Sequence, residues 1–140
     1  MSTFVDQLPS HLKAGTVYLC ERSIYSSFNV FSKLLDLSAE ELYMLEEIYC
    51  TYAKNMPVKG IIYIQCPVEH CFQRTMSRNH SSDKLLTSEY LTLVHEKYLE
   101  WFDQTNIPVF YVSDVWINEA PVEKIISEAI EYFDKNRYKL

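Results

Sequence analysis

A continuous apolar run in the middle of the chain constrains the fold more than any other feature. The run Gly60-Ile-Ile-Tyr-Ile-Gln-Cys66 is followed directly by Pro67, and its length is typical of a strand rather than of a helix. Because it is apolar at almost every position instead of at alternate ones, it predicts a strand buried on both faces of a parallel sheet. Parallel strands need long crossover connections, usually helices, so the run predicts an α/β fold.

Two shorter apolar segments predict neighbouring strands. Residues 16–20 (Thr-Val-Tyr-Leu-Cys) have the pattern of a short buried strand, and residues 107–112 have that of a third. Glu21 and Arg22 directly follow the first of these segments. In parallel α/β sheets ligands bind outside the carboxyl ends of the strands, so these charged residues are the first indication of a functional site.

Helical periodicity fills the stretches between the predicted strands. Apolar residues recur at intervals of three and four after Ile24, after a capping box of Ser38 and Glu41, after Pro67, after the cap residue Thr87 and after Pro121. The residues predicted to be buried in the first two helices are Phe28, Phe31, Leu34, Leu35, Leu42, Leu45, Tyr49 and Tyr52. Those in the third and last helices are Val68, Cys71, Phe72, Thr75, Met76, Val122, Ile125, Ile126, Ala129, Ile130 and Phe133. The pattern predicts three layers, a parallel sheet with flanking helices.

Charge and composition exclude several classes of function. The net charge of −6 argues against a nucleic-acid surface, which needs clustered Lys and Arg. No apolar run approaches about eighteen residues and no charged-then-apolar segment opens the chain, so we expect neither a membrane span nor a signal peptide. We therefore expect an intracellular, cytoplasmic protein. Its cysteines at positions 20, 50, 66 and 71 have no pairing pattern, which favours reduced thiols.

Three separated segments carry the chemical signature of the chain. They are Cys20-Glu-Arg-Ser-Ile-Tyr-Ser-Ser-Phe-Asn-Val-Phe31, then Lys59-Gly-Ile-Ile-Tyr-Ile-Gln-Cys-Pro-Val-Glu-His-Cys-Phe-Gln-Arg74 with Arg78, then Glu89-Tyr-Leu with His95-Glu-Lys-Tyr-Leu-Glu-Trp101. Together they resemble the deoxynucleoside kinases, the family that includes deoxycytidine, deoxyguanosine and mitochondrial thymidine kinases. The resemblance covers about residues 16–133. It implies a P-loop kinase fold, ATP as phosphate donor with Mg²⁺, a deoxynucleoside acceptor in nucleotide salvage, and a homodimer.

The resemblance assigns the Glu-Arg-Ser segment to phosphoryl transfer. Such a site needs fixed cations around the phosphates and a metal ligand, because catalysis is mostly positioning and charge neutralisation. The resemblance implies that Glu21 helps to hold Mg²⁺ and that Arg22 contacts the 5′ end of the nucleoside and the transferred phosphoryl group. Taken alone, the two residues are also typical of an exposed ion pair at a strand end.

A lid at about residues 74–86 is implied in the same way. Arg74 and Arg78 correspond to lid arginines, one packing on the adenine or lining the phosphates and the other reaching the transferred group. One helical turn separates them, so both can point at one anion. The alternative is that two cations near a helix C-terminus only complement its dipole. His80 stands where many relatives carry a third lid arginine and would also contact ATP.

Three residues are implied to contact the nucleoside. Phe31 matches an aromatic residue that stacks on the base, although it also lies on the stripe predicted to be buried. Asp83 matches an acidic residue that hydrogen-bonds the sugar 3′-hydroxyl. Ser27 replaces an aspartate that orients the base in many relatives, so the preferred base stays open. The loop at 113–119 occupies the place where relatives hold the adenine.

The sequence contains no recognised ligand spacing for another kind of metal site. His95-Glu96 begins a zinc-protease-like string, but position 99 is Leu rather than His. His70 and Cys71 are successive helix positions, which point in different directions. The sequence therefore predicts no metal site besides the implied Mg²⁺ at Glu21.

The glycine-rich phosphate loop of the family does not occur in this sequence. Its pattern Gly-x-x-x-x-Gly-Lys-Ser/Thr needs two nearby glycines, and the chain has only Gly15 and Gly60. The family's first strand would lie between the strands at 16–20 and 60–66. We therefore expect residues 1–15 to be a segment without an assigned role and 16–140 to be a truncated kinase domain lacking the first two strands of the family.

Two functions follow from that truncation. In the first, the chain is an enzyme piece whose activity needs an N-terminal kinase portion, on a separate chain or lost from the reading frame. In the second, it is a non-catalytic remnant that acts as a nucleotide-binding or dimerisation module.

Overall fold

The computed structural model describes residues 13–53, 56, 58–78, 80 and 86–136. The chain divides into two compact units, Met1–Met56 and Pro57–Leu140. Each unit is built from its own elements and is described by itself. Within the described residues, no helix combines the length and the apolar character that crossing a membrane requires.

Helices α1 (Ile24–Asn29) and α2 (Ala39–Ala53) form the N-terminal unit, with a 3₁₀ turn at Phe31–Leu34 between them. The sequence predicted one continuous helix from Ile24 through Leu35, and this was wrong. The side-chain amide of Asn29 donates to the Tyr25 carbonyl, and the Ser32 hydroxyl donates to the Phe28 carbonyl. Such hydrogen bonds from side chains to the backbone compete with those of the helix. After the break Val30 is fully buried, whereas Leu35 is exposed.

The capping box predicted for α2 is confirmed. The Ser38 amide donates to the Glu41 carboxylate at 2.9 Å, and the Glu41 amide donates to the Ser38 hydroxyl at 3.3 Å. Helix α2 packs on α1 through Tyr49, whose ring stacks on Phe28 with centroids 4.3 Å apart. No residue of α2 is fully buried, and the predicted inner face is wrong at Leu42 and Tyr52, which are exposed.

Residues 16–20 do not form the strand that the sequence predicted. They have no regular structure, and Leu19 is 66% exposed. A strand forms only by pairing, and the described part of this unit contains no other strand for the segment to join. Positive φ angles occur on either side of the segment, at Gly15 (77°) and Arg22 (62°).

A parallel pair of strands forms the centre of the C-terminal unit. Strands β1 (Ile61–Gln65) and β2 (Val109–Ser113) run in register, with Ile61 opposite Val109 and Gln65 opposite Ser113. Helices α3 (Val68–Arg78), α4 (Ser88–Gln104), α5 (Asp114–Glu119) and α6 (Val122–Lys135) complete the unit. The α/β class with a parallel sheet and flanking helices is confirmed.

Helices cover both faces of this sheet. Tyr63 contacts Tyr98 and Phe102 of α4, with ring centroids 5.5 and 4.9 Å away. Phe110 contacts Tyr132 of α6, with centroids 5.5 Å apart. Because Tyr63 pairs with Tyr111 and neighbouring strand residues point to opposite faces, α4 and α6 lie on opposite sides. The three predicted layers are therefore present in this unit.

Burial in the sheet departs from the prediction. Strand β1 was expected to be buried on both faces, but Ile64 is 45% exposed. With two strands in the described residues, each strand is also a sheet edge and receives less cover than a central strand.

Local sequence signals predicted some features of the helices in this unit and missed others. Thr87 caps α4 by accepting from the Tyr90 amide at 3.1 Å, as predicted. Ile125, Ala129 and Phe133 of α6 are buried as predicted. The prediction was wrong for Met76 and Val122, which are both exposed. It was also wrong for the loop at 113–119, because Asp114–Glu119 is helix α5, capped by the Ser113 hydroxyl.

Gly60 marks the closest approach between the sheet and α6. A Cβ atom at this position would overlap the ring of Phe133. Phe133 is itself buried, so its ring has little room to move away. The absence of a side chain at Gly60 therefore allows α6 to pack against the start of β1.

We expect Gly60→Ala to lower the free energy of unfolding by about 1–3 kcal/mol, the usual cost of overpacking a core. Urea unfolding of the full chain would measure it. The matched control repeats the substitution in a Phe133→Leu background, where the ring is gone and the added methyl should cost clearly less. Equal costs in the two backgrounds would show that the ring contact is not responsible.

We also expect Arg22→Gly to be more stable than Arg22→Ala by about 1 kcal/mol, because only glycine adopts a positive φ without strain. Both variants remove the guanidinium, so their difference isolates the backbone. Exposed Glu46 in the middle of α2 is the control, where Ala should exceed Gly by about 0.5–1 kcal/mol. The same order at both positions would refute a strained backbone at Arg22.

Candidate functional site

Arg22 has an unusual backbone and a defined side-chain partner. Its φ of 62° lies in the left-handed region, which costs a non-glycine residue free energy. Its guanidinium carbon lies 4.9 Å from the centroid of the Phe31 ring, within the range of a cation–π contact. Two residues that the resemblance assigned to the substrate are thus in contact. The exposed Glu21 forms no ion pair with Arg22 in the described structure.

Ser23, the last residue of the Glu-Arg-Ser tripeptide, is the N-cap residue of α1. Its amide donates to the Ser26 hydroxyl at 3.2 Å, and its carbonyl accepts from the hydroxyls of Ser26 and Ser27. These hydrogen bonds fix the turn between Arg22 and α1. The Ser27 hydroxyl donates within this turn, to the Ser23 carbonyl. Ser27 itself is exposed. Its proposed contact with the base stays a prediction.

Phe31 was open to two interpretations, core packing and base stacking. The ring that packs on α2 belongs to Phe28, which stacks on Tyr49. Phe31 lies beyond the helix break, in the 3₁₀ turn, and is half-buried with Arg22 against its ring. Its role in base stacking stays a prediction.

In the C-terminal unit, a polar cluster forms where β1 and β2 end. Because Gln65 lies opposite Ser113, the next residues, Cys66 and Asp114, leave the same edge of the sheet. His70 on the first turn of α3 and Arg74 one turn later reach the same edge. We call Cys66, His70, Arg74 and Asp114 the strand-end cluster.

One carboxylate oxygen is the centre of the strand-end cluster. Asp114 Oδ2 lies 3.0 Å from His70 Nδ1, 3.6 Å from Cys66 Sγ and 3.6 Å from Arg74 Nη2. Arg74 Nη1 also lies 3.5 Å from Cys66 Sγ. The Asp114 side chain is only 9% exposed, whereas those of His70 and Arg74 are 53% and 52% exposed. A buried acceptor therefore meets partners that can move.

The contacts set the charge state of the cluster. The hydrogen bond from His70, then that from Cys66 and the charges of His70 and Arg74, hold the pKa of Asp114 below its ordinary value despite burial. Burial, reinforced by the neighbouring Cys71, raises the pKa of the Cys66 thiol to about 12, although Arg74 acts in the opposite direction. The cluster thus holds an ionised carboxylate beside a neutral thiol.

The sequence missed most of this cluster. The sequence considered His70 with the adjacent Cys71, whereas the donor that comes within 4.8 Å of His70 is that of Cys66, four residues earlier. The available signal was that Cys66 and Asp114 each directly follow a strand. Arg74, which the resemblance assigned to adenine or phosphate, is in contact with Asp114, and its role at the nucleotide stays a prediction.

The remaining lid residues are only partly described. Arg78 lies in the last turn of α3 and is exposed, as is His80. Asp83 lies outside the described residues, as do positions 79, 81, 82, 84 and 85 of the predicted lid. The roles of Arg78, His80 and Asp83 stay predictions.

Comparison with known proteins places the chain in a family. The family model described as deoxynucleoside kinase matches residues 1–138. A probable deoxycytidine kinase of fowlpox virus is 26% identical over 122 residues, which cover 83% of this chain and 51% of that protein. Human mitochondrial thymidine kinase 2 is 27% identical over 135 residues, 91% of this chain and 49% of that protein.

A third relative has a different kind of name. The mitochondrial NADH dehydrogenase 1 alpha subcomplex subunit 10 of the mouse is 27% identical over 144 residues, covering 96% of this chain and 39% of that protein. The chain thus spans about half the length, or less, of these curated relatives. Since the family model nevertheless matches almost all of it, the chain belongs to the deoxynucleoside kinase family.

Proposed function

We propose that this chain supplies part of the phosphoryl-transfer machinery of a deoxynucleoside kinase, which moves the γ-phosphate of ATP to the 5′-hydroxyl of a deoxynucleoside. The observation that carries the proposal is the conformation of Arg22. A strained backbone of this kind costs about 1–3 kcal/mol and clusters at functional sites. An ordinary surface ion pair with Glu21 would need no such strain. The stacking on Phe31 supports a guanidinium held ready for an anion.

Each charged residue of the family signature has a role in this proposal. Arg22 contacts the 5′ end of the nucleoside and the transferred phosphoryl group, and Arg78 reaches that group from the lid. Arg74 lines the ATP, with His80 nearby in sequence. The contact between Arg74 and Asp114 is long, at 3.6 Å, and the Arg74 side chain is half-exposed. Exchanging this contact for one with a phosphate therefore costs little free energy.

Glu21 is the residue that would hold Mg²⁺. It is exposed, and carboxylate oxygen is the ligand type that Mg²⁺ prefers, usually with only one or two carboxylates and the substrate phosphates. The residue therefore fits the ion. Bound Mg²⁺ would neutralise charge that develops on the phosphates.

Activity is proposed to need an N-terminal portion that carries the phosphate loop. This sequence has no such loop, and in the described residues β1 pairs with β2 alone. The resemblance puts the strand that leads into the loop beside β1. Adding it would turn an edge strand into a central one and cover the exposed side of Ile64.

A non-catalytic role is the second candidate, and two observations favour it. Helix α2 exposes Tyr43, Met44 and Ile48, an apolar set that suits contact with a second copy of the chain. One relative is named as a subunit of NADH dehydrogenase rather than as a kinase. In this case the chain is a dimerisation module and transfers no phosphate.

The first test is transfer of labelled γ-phosphate from ATP to each of the four deoxynucleosides with Mg²⁺. The full chain is assayed alone and with the N-terminal half of human thymidine kinase 2, both mixed and fused. We expect transfer only when the N-terminal half is present. Transfer by the chain alone would contradict the need for that half. No transfer from folded protein, with a dimer seen by light scattering, would establish the second candidate instead.

In the active combination, we expect Arg22→Met to lower kcat/KM by about 10²–10³-fold, the usual effect of removing one transition-state donor. Lys33→Met is the matched control, because Lys33 lies 4.9 Å from the Phe28 ring in an equivalent cation–π contact outside the family signature. The control should leave kcat/KM unchanged. Equal losses from both substitutions would assign Arg22 to stability rather than to catalysis.

A further inference from the structure

Three metal-ligating side chains converge in the strand-end cluster, and the proposed phosphoryl transfer uses none of them. Cys66 Sγ, His70 Nδ1 and Asp114 Oδ2 all lie within 4.8 Å of one another. Cys66 follows β1, His70 lies on the first turn of α3, and Asp114 begins α5. The three donors thus come from separate elements that the parallel strand pair brings to one edge.

The separations are close to those of a tetrahedral zinc site. Zinc bonds of about 2.3 Å to sulfur and about 2.0–2.1 Å to nitrogen and oxygen place sulfur about 3.6 Å from oxygen, and nitrogen about 3.3 Å from oxygen. The observed distances are 3.6 Å between Cys66 Sγ and Asp114 Oδ2, and 3.0 Å between His70 Nδ1 and Asp114 Oδ2. Small adjustments, chiefly of the half-exposed His70, would complete the geometry.

The donor set also indicates the kind of metal. Thiolate, imidazole and carboxylate together suit Zn²⁺ and neighbouring divalent transition metals, whereas Mg²⁺ and Ca²⁺ prefer oxygen ligands alone. We propose that Cys66, His70 and Asp114 bind a Zn²⁺-like divalent transition metal, with a fourth position open to solvent or to an exogenous ligand. Binding replaces the thiol proton of Cys66 by the metal and releases that proton to water.

The Arg74 guanidinium competes with a metal ion for the proposed ligands. Its guanidinium contacts both Cys66 Sγ and Asp114 Oδ2, so it must leave before a cation can bind there. Its side chain is 52% exposed and can turn into solvent. Removing Arg74 should therefore strengthen metal binding. If the cluster served only as a hydrogen-bonded network, removing Arg74 would create no affinity for a metal.

The test titrates the full chain with Co²⁺, which reports thiolate ligation by a charge-transfer absorption, and then displaces Co²⁺ with Zn²⁺. We expect Cys66→Ser to abolish the charge-transfer absorption. His70→Ala and Asp114→Asn should weaken binding by at least about tenfold, the lower end of what even an indirect partner costs. Arg74→Ala should bind more tightly than the unmodified chain. Cys71→Ser is the matched control and should keep the absorption, because the Cys71 thiol lies beside Cys66 but is not one of the three converging donors.

A measurement on the unmodified chain makes the result independent of variant folding. Zn²⁺ should slow alkylation of Cys66 while leaving Cys50 of α2 unaffected, as read from peptide masses. Absence of a charge-transfer absorption, or alkylation of Cys66 that Zn²⁺ does not slow, would overturn the proposal. So would equal loss of the absorption in Cys66→Ser and Cys71→Ser. Neither readout depends on phosphate transfer, so this proposal and the proposed function can fail separately.

Discussion

The parallel pairing of β1 with β2 is the interaction on which the C-terminal unit depends. Its register directs Tyr63 and Tyr111 towards α4 and Phe110 towards α6, so one pairing organises both helical layers. The same register brings two strand ends that are 48 residues apart in sequence, Gln65 and Ser113, to one edge. A shift of one residue would turn the aromatic residues to the opposite faces and separate Cys66 from Asp114. Fold and site are therefore specified together.

Local signals made much of this fold predictable. Caps and amphipathic stripes involve residues within one or two helical turns. They could therefore be predicted without knowing what each helix packs against, as for the caps Ser38 and Thr87 and for the stripe of Ile125, Ala129 and Phe133. The segment at 16–20 failed for the opposite reason. An apolar run indicates the capacity to pair, but a strand exists only where a second strand offers its backbone. Helix α5 failed because six residues are too few for periodicity, although Ser113 and Asp114 are a normal helix start.

The candidate site shows the same division between local and non-local information. Resemblance named Glu21, Arg22, Arg74 and Arg78 from their neighbours in sequence. It could not indicate that Arg22 has a positive φ, because that conformation depends on the turn into α1 and on the break that presents Phe31. It also could not pair Arg74 with Asp114, since that contact depends on the strand register. A motif can name such residues as candidates, whereas contacts that depend on packing are visible only in the structure.

Arg74 connects the two proposals through a single contact. A guanidinium drawn to nucleotide phosphate would leave Asp114 and Cys66, and a metal at those donors would push the guanidinium towards the nucleotide. By linkage each ligand then favours the other by the same factor. That factor is bounded by the contact they both break, a 3.6 Å ion pair with a half-exposed arginine. Fully exposed pairs contribute about 0–1 kcal/mol, which corresponds to at most about fivefold. Because Asp114 is buried, that range is a reference for the coupling rather than its upper limit.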